Sequence, residues 1–280
     1  MKKSISYWSF EGGLEGKAVY SEVFKEAKEA GYDAVEPALS EDGELTPGTS
    51  KAECQEIRRA AESAGVELSS LATGLFWRAS LTADDSLVRE NALGIAHCLI
   101  EKASWLGVEA VLVVPGAVDV FFLPDAEIIP YDICYERSLE AMKKLATAAE
   151  THKVRIGVEN VWNKFLLSPL EMRDFVDEIG SDYVGVYFDA GNVLLTGFPQ
   201  HWIRILKERI VRVHIKDFKA SVGTAEGFCD LLEGDVPWQE TMKALKEIGY
   251  NSYVTAEMVP PTQGVVQKTS RAMDKILAMA

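Results

Sequence analysis

The strongest constraint on the fold is a regular alternation of strand-like and helix-like segments along the 280 residues of the chain. Runs typical of β-strands cover residues 4–9, 32–36, 66–71, 108–114, 154–159, 183–189, 210–216 and 252–257. Segments with a helical pattern lie between them, at 20–30, 51–64, 84–106, 135–152, 169–179, 200–208, 238–248 and 265–279. Strict alternation of eight strands with eight helices predicts an α/β fold, a (β/α)8 TIM barrel. A doubly wound open sheet is the alternative, although such sheets more usually have six strands.

The boundaries of these segments carry capping signals. Glycines stand between a helical segment and the next strand at positions 31, 65, 107 and 249, where glycine adopts a left-handed C-cap without a Cβ clash. Ser168 precedes Pro169 at the predicted start of the fifth helix, a common N-terminal arrangement. Because no tract rich in glycine, serine and proline divides the chain, we expect residues 1–280 to form a single TIM-barrel domain.

The last four predicted strands each have an aliphatic face and a polar face. In the strand at 210–216, three aliphatic residues alternate with Arg212, His214 and Lys216. The other three strands alternate in the same way, and each carries a carboxylate near its carboxyl end: Glu159, Asp189 and Glu257. Strand residues alternate faces with period two. We therefore expect the aliphatic faces to meet the surrounding helices and the polar faces to point into the barrel.

Four potential metal ligands are expected at the mouth of this barrel: Glu159, Asp189, His214 and Glu257. Three carboxylates and an imidazole, buried together without a counterion, would cost several kcal/mol. A single divalent ion removes that cost, and a set of oxygen ligands with one nitrogen suits Mn²⁺, Zn²⁺, Mg²⁺ or Co²⁺. The alternative without a metal is that the carboxylates pair with the inward-facing Arg155, Arg212 and Lys216.

Two predicted loops are too long to be simple turns. They cover residues 115–132 and 218–237, after the fourth and seventh strands. Both lie at the carboxyl ends of strands, where barrels keep their active sites, and long loops in compact domains are usually functional. Phe121 and Phe122 in the first loop are strongly apolar, and we expect them to help cover a substrate.

The segments G-V-E-N, Y-F-D-A-G-N, V-H-I-K-D and T-A-E-M stand in this order on the last four strands. This ordered set resembles the xylose isomerase-like TIM-barrel family of sugar isomerases and epimerases. The likeness covers nearly the whole chain and is greatest to the sugar-phosphate branch, which includes hexulose-6-phosphate isomerase and L-ribulose-5-phosphate 3-epimerase. It implies that Glu159, Asp189, His214 and Glu257 bind one divalent metal ion. It also implies that Glu159 and Glu257 are the catalytic acid–base pair.

These implied roles predict an enzyme, an isomerase of the ketose 3-epimerase or aldose–ketose isomerase type. One glutamate would remove a proton next to a carbonyl and the other would return one, through a metal-stabilised enediolate. An inosose-type dehydratase would use the same metal site and begin with the same proton abstraction. The sequence does not distinguish the epimerase, isomerase and dehydratase reactions, because they differ in the pose of the substrate. An AP endonuclease IV-like DNA-repair enzyme and a non-catalytic sugar-binding barrel are less favoured alternatives.

Seven residues are predicted to contact the substrate: Lys216, Asn192, Glu36, Trp77, Arg78, Lys219 and Glu233. Lys216 shares a strand face with His214, so it either binds a substrate oxygen or supports the metal ligands. Trp77 and Arg78 suit stacking on a sugar and contact with a phosphate, or form a buried Trp beside a surface Arg. Glu233 either contacts substrate or belongs to a turn before a helix. Free-ketose 3-epimerases carry His where this chain has Asn192 and Arg where it has Ala220, which leaves the substrate open.

Composition narrows the range of partners. The net charge is −14, whereas a general nucleic-acid binder needs a basic footprint. No apolar run approaches the roughly 18 residues of a membrane span, and the N-terminus does not resemble a signal peptide. The four cysteines form no C-x-x-C pair and are typical of reduced thiols in a cytoplasmic protein. We expect a cytoplasmic enzyme with a small-molecule carbohydrate substrate and no nucleic-acid or membrane partner, and the family likeness predicts a homo-oligomer, a dimer or tetramer.

Overall fold

The computed structural model describes residues 1–280 and contains eight parallel strands with eight helices between and after them. The strands are β1 (Lys2–Ser6), β2 (Ala34–Glu36), β3 (Glu67–Leu68), β4 (Ala110–Val113), β5 (Arg155–Glu159), β6 (Val184–Asp189), β7 (Ile210–Ile215) and β8 (Tyr253–Ala256). The helices are α1 (Tyr20–Glu29), α2 (Lys51–Ala64), α3 (Ser86–Leu106), α4 (Tyr131–His152), α5 (Pro169–Ile179), α6 (Pro199–Leu206), α7 (Trp238–Glu247) and α8 (Val265–Leu277). None of these helices combines the length and the apolar character that crossing a bilayer requires.

The strands form a closed, parallel barrel. Their order around the sheet is β3-β2-β1-β8-β7-β6-β5-β4, with each neighbouring pair parallel. The two outer strands meet through Leu71, just beyond β3, which forms a parallel bridge with Val111 in β4. The Leu71 N–H donates to the Ala110 carbonyl at 3.0 Å, and the Leu112 N–H donates to the Leu71 carbonyl at 2.9 Å. The predicted (β/α)8 barrel is therefore confirmed.

Three predicted boundaries are wrong. The first strand ends at Ser6, whose hydroxyl accepts a hydrogen bond from the Trp8 N–H at 3.4 Å and caps a short 3-10 turn over Tyr7–Ser9. The third strand is regular only over Glu67–Leu68 before the chain rejoins the barrel at Leu71. The fourth helix begins at Tyr131 rather than at residue 135, because Pro130 already has the backbone angles of a cap and directs the chain into the helix.

The two faces of the barrel strands divide as the sequence pattern predicts. Val158, Val186 and Val213 are fully buried members of the hydrophobic core. On the inner side, the Arg212 guanidinium donates to the Ser69 carbonyl at 2.9 Å, and the Ser4 hydroxyl donates to the Ser69 hydroxyl at 2.9 Å. The interior of this barrel is thus strongly polar, and hydrogen bonds across it hold the strands that position the site.

The loop between β7 and α7 is organised by one buried carboxylate. Asp217 is fully buried and accepts hydrogen bonds from the backbone N–H groups of Leu232 at 2.9 Å and Val236 at 3.1 Å, and from the Trp238 indole at 3.0 Å. Gly234 packs so tightly here that a Cβ would lie 2.2 Å from an Asp217 carboxylate oxygen. These contacts therefore hold the long loop in place at the mouth of the barrel.

Candidate active site

The carboxyl ends of the last four strands bring four potential metal ligands together. Glu159 and Asp189 are the final residues of β5 and β6, His214 lies in β7, and Glu257 directly follows β8. One potential ligand atom from each residue lies within 4.8 Å of all the others, and all four residues are buried. The convergence that the strand pattern predicts is present in the structure.

Buried atoms without hydrogen bonds indicate that a cation fits between these residues. Asp189 Oδ2, His214 Nδ1 and Glu257 Oε2 are shielded from solvent. The two carboxylate oxygens pair with the Lys216 ammonium, and His214 Nδ1 has no hydrogen-bond partner. Nδ1 of His214 lies 3.9 Å from a carboxylate oxygen of Glu159 and 3.9 Å from one of Glu257. Unpaired buried polar atoms are costly, and a cation bound among them would recover that cost. Because the donors are carboxylate oxygens and one imidazole nitrogen, they fit a divalent metal such as Mn²⁺, Zn²⁺, Mg²⁺ or Co²⁺.

Glu36 lies behind His214 and fixes its orientation. Its fully buried carboxylate is 2.8 Å from His214 Nε2, accepts a hydrogen bond from the Ser70 hydroxyl at 2.6 Å, and contacts the Tyr187 hydroxyl. Since Glu36 engages Nε2, the other ring nitrogen faces the ligand cluster, an arrangement typical of metal-binding histidines. The sequence suggests that Glu36 lines the substrate pocket, whereas the structure places it away from the cavity. The reason is that β2 directs this side chain into the barrel, toward β7.

Lys216 supplies a positive charge inside the cluster. Its ammonium lies 3.3 Å from Asp189 Oδ2 and forms a second ion pair with Glu257, while its side chain is only 16% exposed. Gly191 makes room for this side chain, because a Cβ at position 191 would lie 2.4 Å from Lys216 Cγ. The lysine thus neutralises part of the charge of the buried carboxylates.

Burial and the neighbouring charges shift the titration of these groups. Burial raises the pKa of Glu159 to about 7, and the negative charge of Glu257 contributes in the same direction. Burial works to lower the pKa of His214, but the carboxylate of Glu36 and its neighbours raise it well above its usual value. Burial also opposes the charge on Lys216, whose pKa the adjacent Asp189 and Glu257 carboxylates nevertheless raise. Protons therefore remain in the metal-free cluster near neutral pH, and a metal ion has to displace them.

The ligand cluster opens into a cavity of about 630 Å³. Six aromatic side chains contribute to its walls: Trp8, Trp77, Phe121, Phe122, Trp162 and Phe228. Two polar residues on these walls donate within the protein: the Thr73 hydroxyl to the Leu39 carbonyl at 2.8 Å, and the Asn192 amide to the Asn160 carbonyl at 3.0 Å. Both long loops contribute to the cavity wall, the first through Phe121 and Phe122 and the second through Phe228.

The predicted substrate contacts are distributed unevenly around this cavity. Three of them line it: Lys216, Asn192 and Trp77. Arg78 is exposed and lines an adjoining cavity instead. Lys219 is exposed and lines neither cavity, and Glu233 forms a surface ion pair with Lys268 at 2.6 Å. Lys219 and Glu233 lie beyond the end of β7, where the strand periodicity no longer indicates the direction of a side chain.

Sequence reasoning missed Trp8, Trp162 and Phe228 as wall residues. Trp8 follows the end of β1, and Trp162 follows the end of β5, where its indole N–H donates to the Asn192 carbonyl at 2.8 Å. The signal that would have found both is an aromatic residue two or three positions beyond a strand end at the active mouth of a barrel. Phe228 carries no such signal, because it lies far along the loop after β7.

Comparison with known proteins supports the fold and the class of site. A family model described as a xylose isomerase-like TIM barrel matches residues 24–276. The D-psicose 3-epimerase of Ruminiclostridium cellulolyticum is 25% identical over 262 residues, which cover 92% of this chain and 83% of that protein. An uncharacterized protein of Methanocaldococcus jannaschii is 26% identical over 61% of this chain, and the inosose isomerase of Bacillus velezensis is 28% identical over 58% of it. These two matches span 57% and 58% of the relatives, less than two thirds of either.

Solved structures show the same architecture. The crystal structure of D-psicose 3-epimerase with D-tagatose from Clostridium cellulolyticum H10 superimposes with a TM-score of 0.81 at 21% identity, covering 100% of this chain and 99% of that one. A 3-keto-D-glucoside 4-epimerase from E. coli superimposes with a TM-score of 0.78 at 14% identity, covering 99% of both chains. The family model over residues 24–276 confirms the family expected from the four strand motifs. The expected likeness to its sugar-phosphate branch stays a prediction.

Proposed function

The chain belongs to the xylose isomerase-like TIM barrel family, and we propose that it is a divalent-metal-dependent epimerase or isomerase of a sugar or sugar derivative. The observation that carries this proposal is the buried set of Glu159, Asp189, His214 and Glu257, whose ligand atoms lie within 4.8 Å of one another. Relatives named as D-psicose 3-epimerase and inosose isomerase support the reaction class.

Asp189 and His214 are the residues we assign mainly to holding the metal. Asp189 Oδ1 accepts a hydrogen bond from the Asn192 N–H at 2.8 Å, and Oδ2, which pairs with the Lys216 ammonium in the metal-free protein, faces the position of the cation. His214 is fixed by Glu36 and presents Nδ1. A divalent cation at this position supplies a Lewis acid that stabilises negative charge developing on a substrate carbonyl oxygen.

Glu159 and Glu257 are the residues we assign to proton transfer. They project from β5 and from the end of β8, on opposite sides of β6 and β7 in the barrel order. A planar intermediate lying between them has one carboxyl group on each face, so one glutamate removes the proton next to the carbonyl and the other returns one. Burial raises the pKa of Glu159 to about 7 while no metal is bound, and a bound cation would favour the ionised carboxylate, the form that acts as a base.

An inosose is the second substrate class with support. The inosose isomerase of Bacillus velezensis is 28% identical over the 172 residues it shares with this chain. An inosose is a cyclic polyol with one ring ketone, so its proton next to the carbonyl presents the same chemistry to Glu159 and Glu257. The same metal site and the same two glutamates would serve either substrate.

The proposal is tested by deuterium exchange. The Mn²⁺-loaded protein is incubated in D₂O with a panel of ketoses, ketose phosphates and inososes, and deuterium next to the carbonyl is measured by NMR. We expect wild-type protein to label at least one compound. Glu159→Gln and Glu257→Gln should each abolish product formation while retaining the fold by circular dichroism. If a variant still exchanges the proton on one face of the substrate only, the glutamate that remains in that variant is the one that serves this face.

Glu233→Gln is the matched control for these variants. Glu233 is exposed, pairs with Lys268 and lies outside the cavity, so this change should leave turnover at the wild-type level. Full turnover by Glu159→Gln or Glu257→Gln would refute the two-glutamate assignment. Absence of exchange in every compound by metal-loaded wild-type protein would refute the proposed reaction class.

A further inference from the structure

The backbone pairing of β5 with β6 ends before it reaches the metal ligand on β6. The last pair in this register is Glu159 with Tyr187, whereas β6 continues to Asp189. On the β7 side the pairing goes on, because Asp189 lies opposite His214 and the Ala190 N–H donates to the His214 carbonyl at 3.2 Å. On the β5 side, no strand backbone remains to bond the N–H and C=O groups of Asp189. Since Asp189 is fully buried, leaving these two groups unpaired would be costly.

The side chain of Asn160 takes the place of the missing strand backbone. Asn160 is the first residue after β5 and is buried. Its Oδ1 accepts a hydrogen bond from the Asp189 N–H at 2.8 Å, and its Nδ2 donates to the Asp189 carbonyl at 2.9 Å. A carboxamide offers a donor and an acceptor, as a peptide group does. The Asn160 side chain therefore continues the hydrogen-bond ladder between β5 and β6 up to the ligand.

The type of side chain matters at position 160. An ionised aspartate there would be an acceptor only, so it would place an oxygen against the Asp189 carbonyl, which now accepts from Asn160 Nδ2. A leucine has a similar shape but neither a donor nor an acceptor. It would leave both backbone groups of Asp189 without a partner.

Two other hydrogen bonds hold the chain after β6 against the chain after β5. The Asn192 amide donates to the Asn160 carbonyl at 3.0 Å, and the Trp162 indole donates to the Asn192 carbonyl at 2.8 Å. Both bonds are accepted by backbone carbonyls, so they do not require the side chain of Asn160. Replacing that side chain consequently removes its two bonds to Asp189 and spares the others.

The position of the Asp189 carboxylate depends on the backbone that Asn160 holds. Asp189 Oδ1 accepts from the Asn192 N–H at 2.8 Å, and Oδ2 lies 3.3 Å from the Lys216 ammonium at the position of the cation. An aspartate has only two side-chain torsions, so a shift of its backbone moves the carboxylate with it. Because Asn160 directly follows Glu159, one carboxamide links the strand ends that carry two of the four potential ligands.

We propose that Asn160 is a positioning residue for the metal: its carboxamide fixes the backbone of Asp189 relative to Glu159 and so holds both carboxylates in place for the cation. The inference rests on the proposed function for the presence of a divalent metal at this site. Asn160 acts through Asp189, since both polar atoms of its side chain bond the Asp189 backbone and Asn160 does not line the active cavity.

The test replaces Asn160 by leucine and measures Mn²⁺ affinity by titration calorimetry, with electron paramagnetic resonance of free Mn²⁺ as a second readout. We expect the affinity of Asn160→Leu to fall about tenfold or more, as is typical when a group that orients a ligand is lost. Asn160→Ala leaves room for a water molecule between the two backbone groups, and it should also lose affinity. Wild-type affinity in either folded variant would overturn the inference.

Asn163→Leu is the matched control. Asn163 is also buried, its Oδ1 accepts from the Phe165 N–H at 3.1 Å, and its Nδ2 donates to the Gly116 carbonyl at 2.7 Å. This change therefore removes the same two kinds of hydrogen bond away from the ligands. We expect both leucine variants to lower the urea midpoint in EDTA, but Asn163→Leu to keep Mn²⁺ affinity within about twofold of wild type. An equal loss of affinity in both variants would show a general effect of destabilisation and overturn the inference.

The route through Asp189 is tested in a second background. In Asp189→Ala protein there is no carboxylate for Asn160 to position, so adding Asn160→Leu should change the residual Mn²⁺ affinity by less than about twofold. A further tenfold loss there would overturn the assigned route. Deuterium exchange is read separately: wild-type protein that binds Mn²⁺ without exchange defeats only the proposed reaction, and equal Mn²⁺ affinity of wild type and Asn160→Leu defeats only this inference. Absence of Mn²⁺ binding by wild-type protein defeats both.

Discussion

Replacing Lys216 by methionine removes the positive charge from the ligand cluster while keeping an unbranched side chain of similar length. In the metal-free protein the Lys216 ammonium lies 3.3 Å from Asp189 Oδ2, contacts Glu257, and has a side chain only 16% exposed. Coulomb's law at an effective dielectric constant of about 20 gives about 5 kcal/mol for unit charges at that separation. Part of this is offset by the desolvation of the lysine, and removing one partner of a buried pair typically costs about 3–5 kcal/mol. We therefore expect Lys216→Met to lower the free energy of unfolding by about 3 kcal/mol in EDTA.

Saturating Mn²⁺ should change this result in a defined way. The metal supplies positive charge to the same carboxylates, so the loss of unfolding free energy caused by Lys216→Met should fall below about 1 kcal/mol. Because the ammonium no longer competes for Asp189 and Glu257, the variant should also bind Mn²⁺ at least tenfold more tightly. Urea denaturation followed by circular dichroism, with EDTA or with Mn²⁺, measures the first effect, and calorimetry measures the second.

Lys219→Met provides the control, since Lys219 is exposed and forms no ion pair. Surface substitutions of this kind usually change stability by about 0.5 kcal/mol or less. If Lys216→Met and Lys219→Met were equally stable in EDTA, the ammonium would not be the countercharge of the cluster. An equal loss with and without Mn²⁺ would show that Lys216 stabilises the fold independently of the metal.

Three further predictions follow from contacts around the site. Glu36→Gln should weaken Mn²⁺ binding by about 10–100-fold, because Glu36 orients His214 through a 2.8 Å contact; calorimetry would show unchanged affinity if the contact were incidental. Asp217→Asn should lower the free energy of unfolding by about 3 kcal/mol. The amide NH2 group, itself a donor, would face N–H groups that in the wild-type protein donate to the carboxylate. Urea denaturation checks this, and a change of less than about 0.5 kcal/mol contradicts it. Mn²⁺ affinity should fall as pH decreases below about 7, because the buried Glu159 then gains a proton that the metal must displace. The expected fall is about tenfold per pH unit for each proton released. A flat profile of affinity from pH 8 to pH 6 would contradict this prediction.

The ligand set was predictable because strand geometry fixes it. Side chains alternate with period two, so the positions of Glu159, Asp189, His214 and Glu257 relative to their aliphatic neighbours determine both their face and their depth. The register of parallel pairing then aligns Asp189 with His214 on adjacent strands. Periodicity and strand order were sufficient to place these four groups together.

The same reasoning was insufficient for contacts made across the barrel or from its loops. Periodicity directs Glu36 inward but does not identify His214 and Tyr187, which lie on distant strands, as its partners. It does not place Lys219, since the chain turns after β7 and the alternation ends there. Phe228 lies on the cavity wall in a loop that pairs with Phe218 and is held by the buried Asp217 carboxylate, and strand periodicity indicates neither contact.

The charges of the site also explain why the residues around the ligands are as constrained as the ligands. Three ligand carboxylates and Glu36 are held in one buried cluster, and each of them needs compensation whether or not a metal is bound. His214 and Lys216 provide it, and Gly191 is required because any side chain there would displace Lys216.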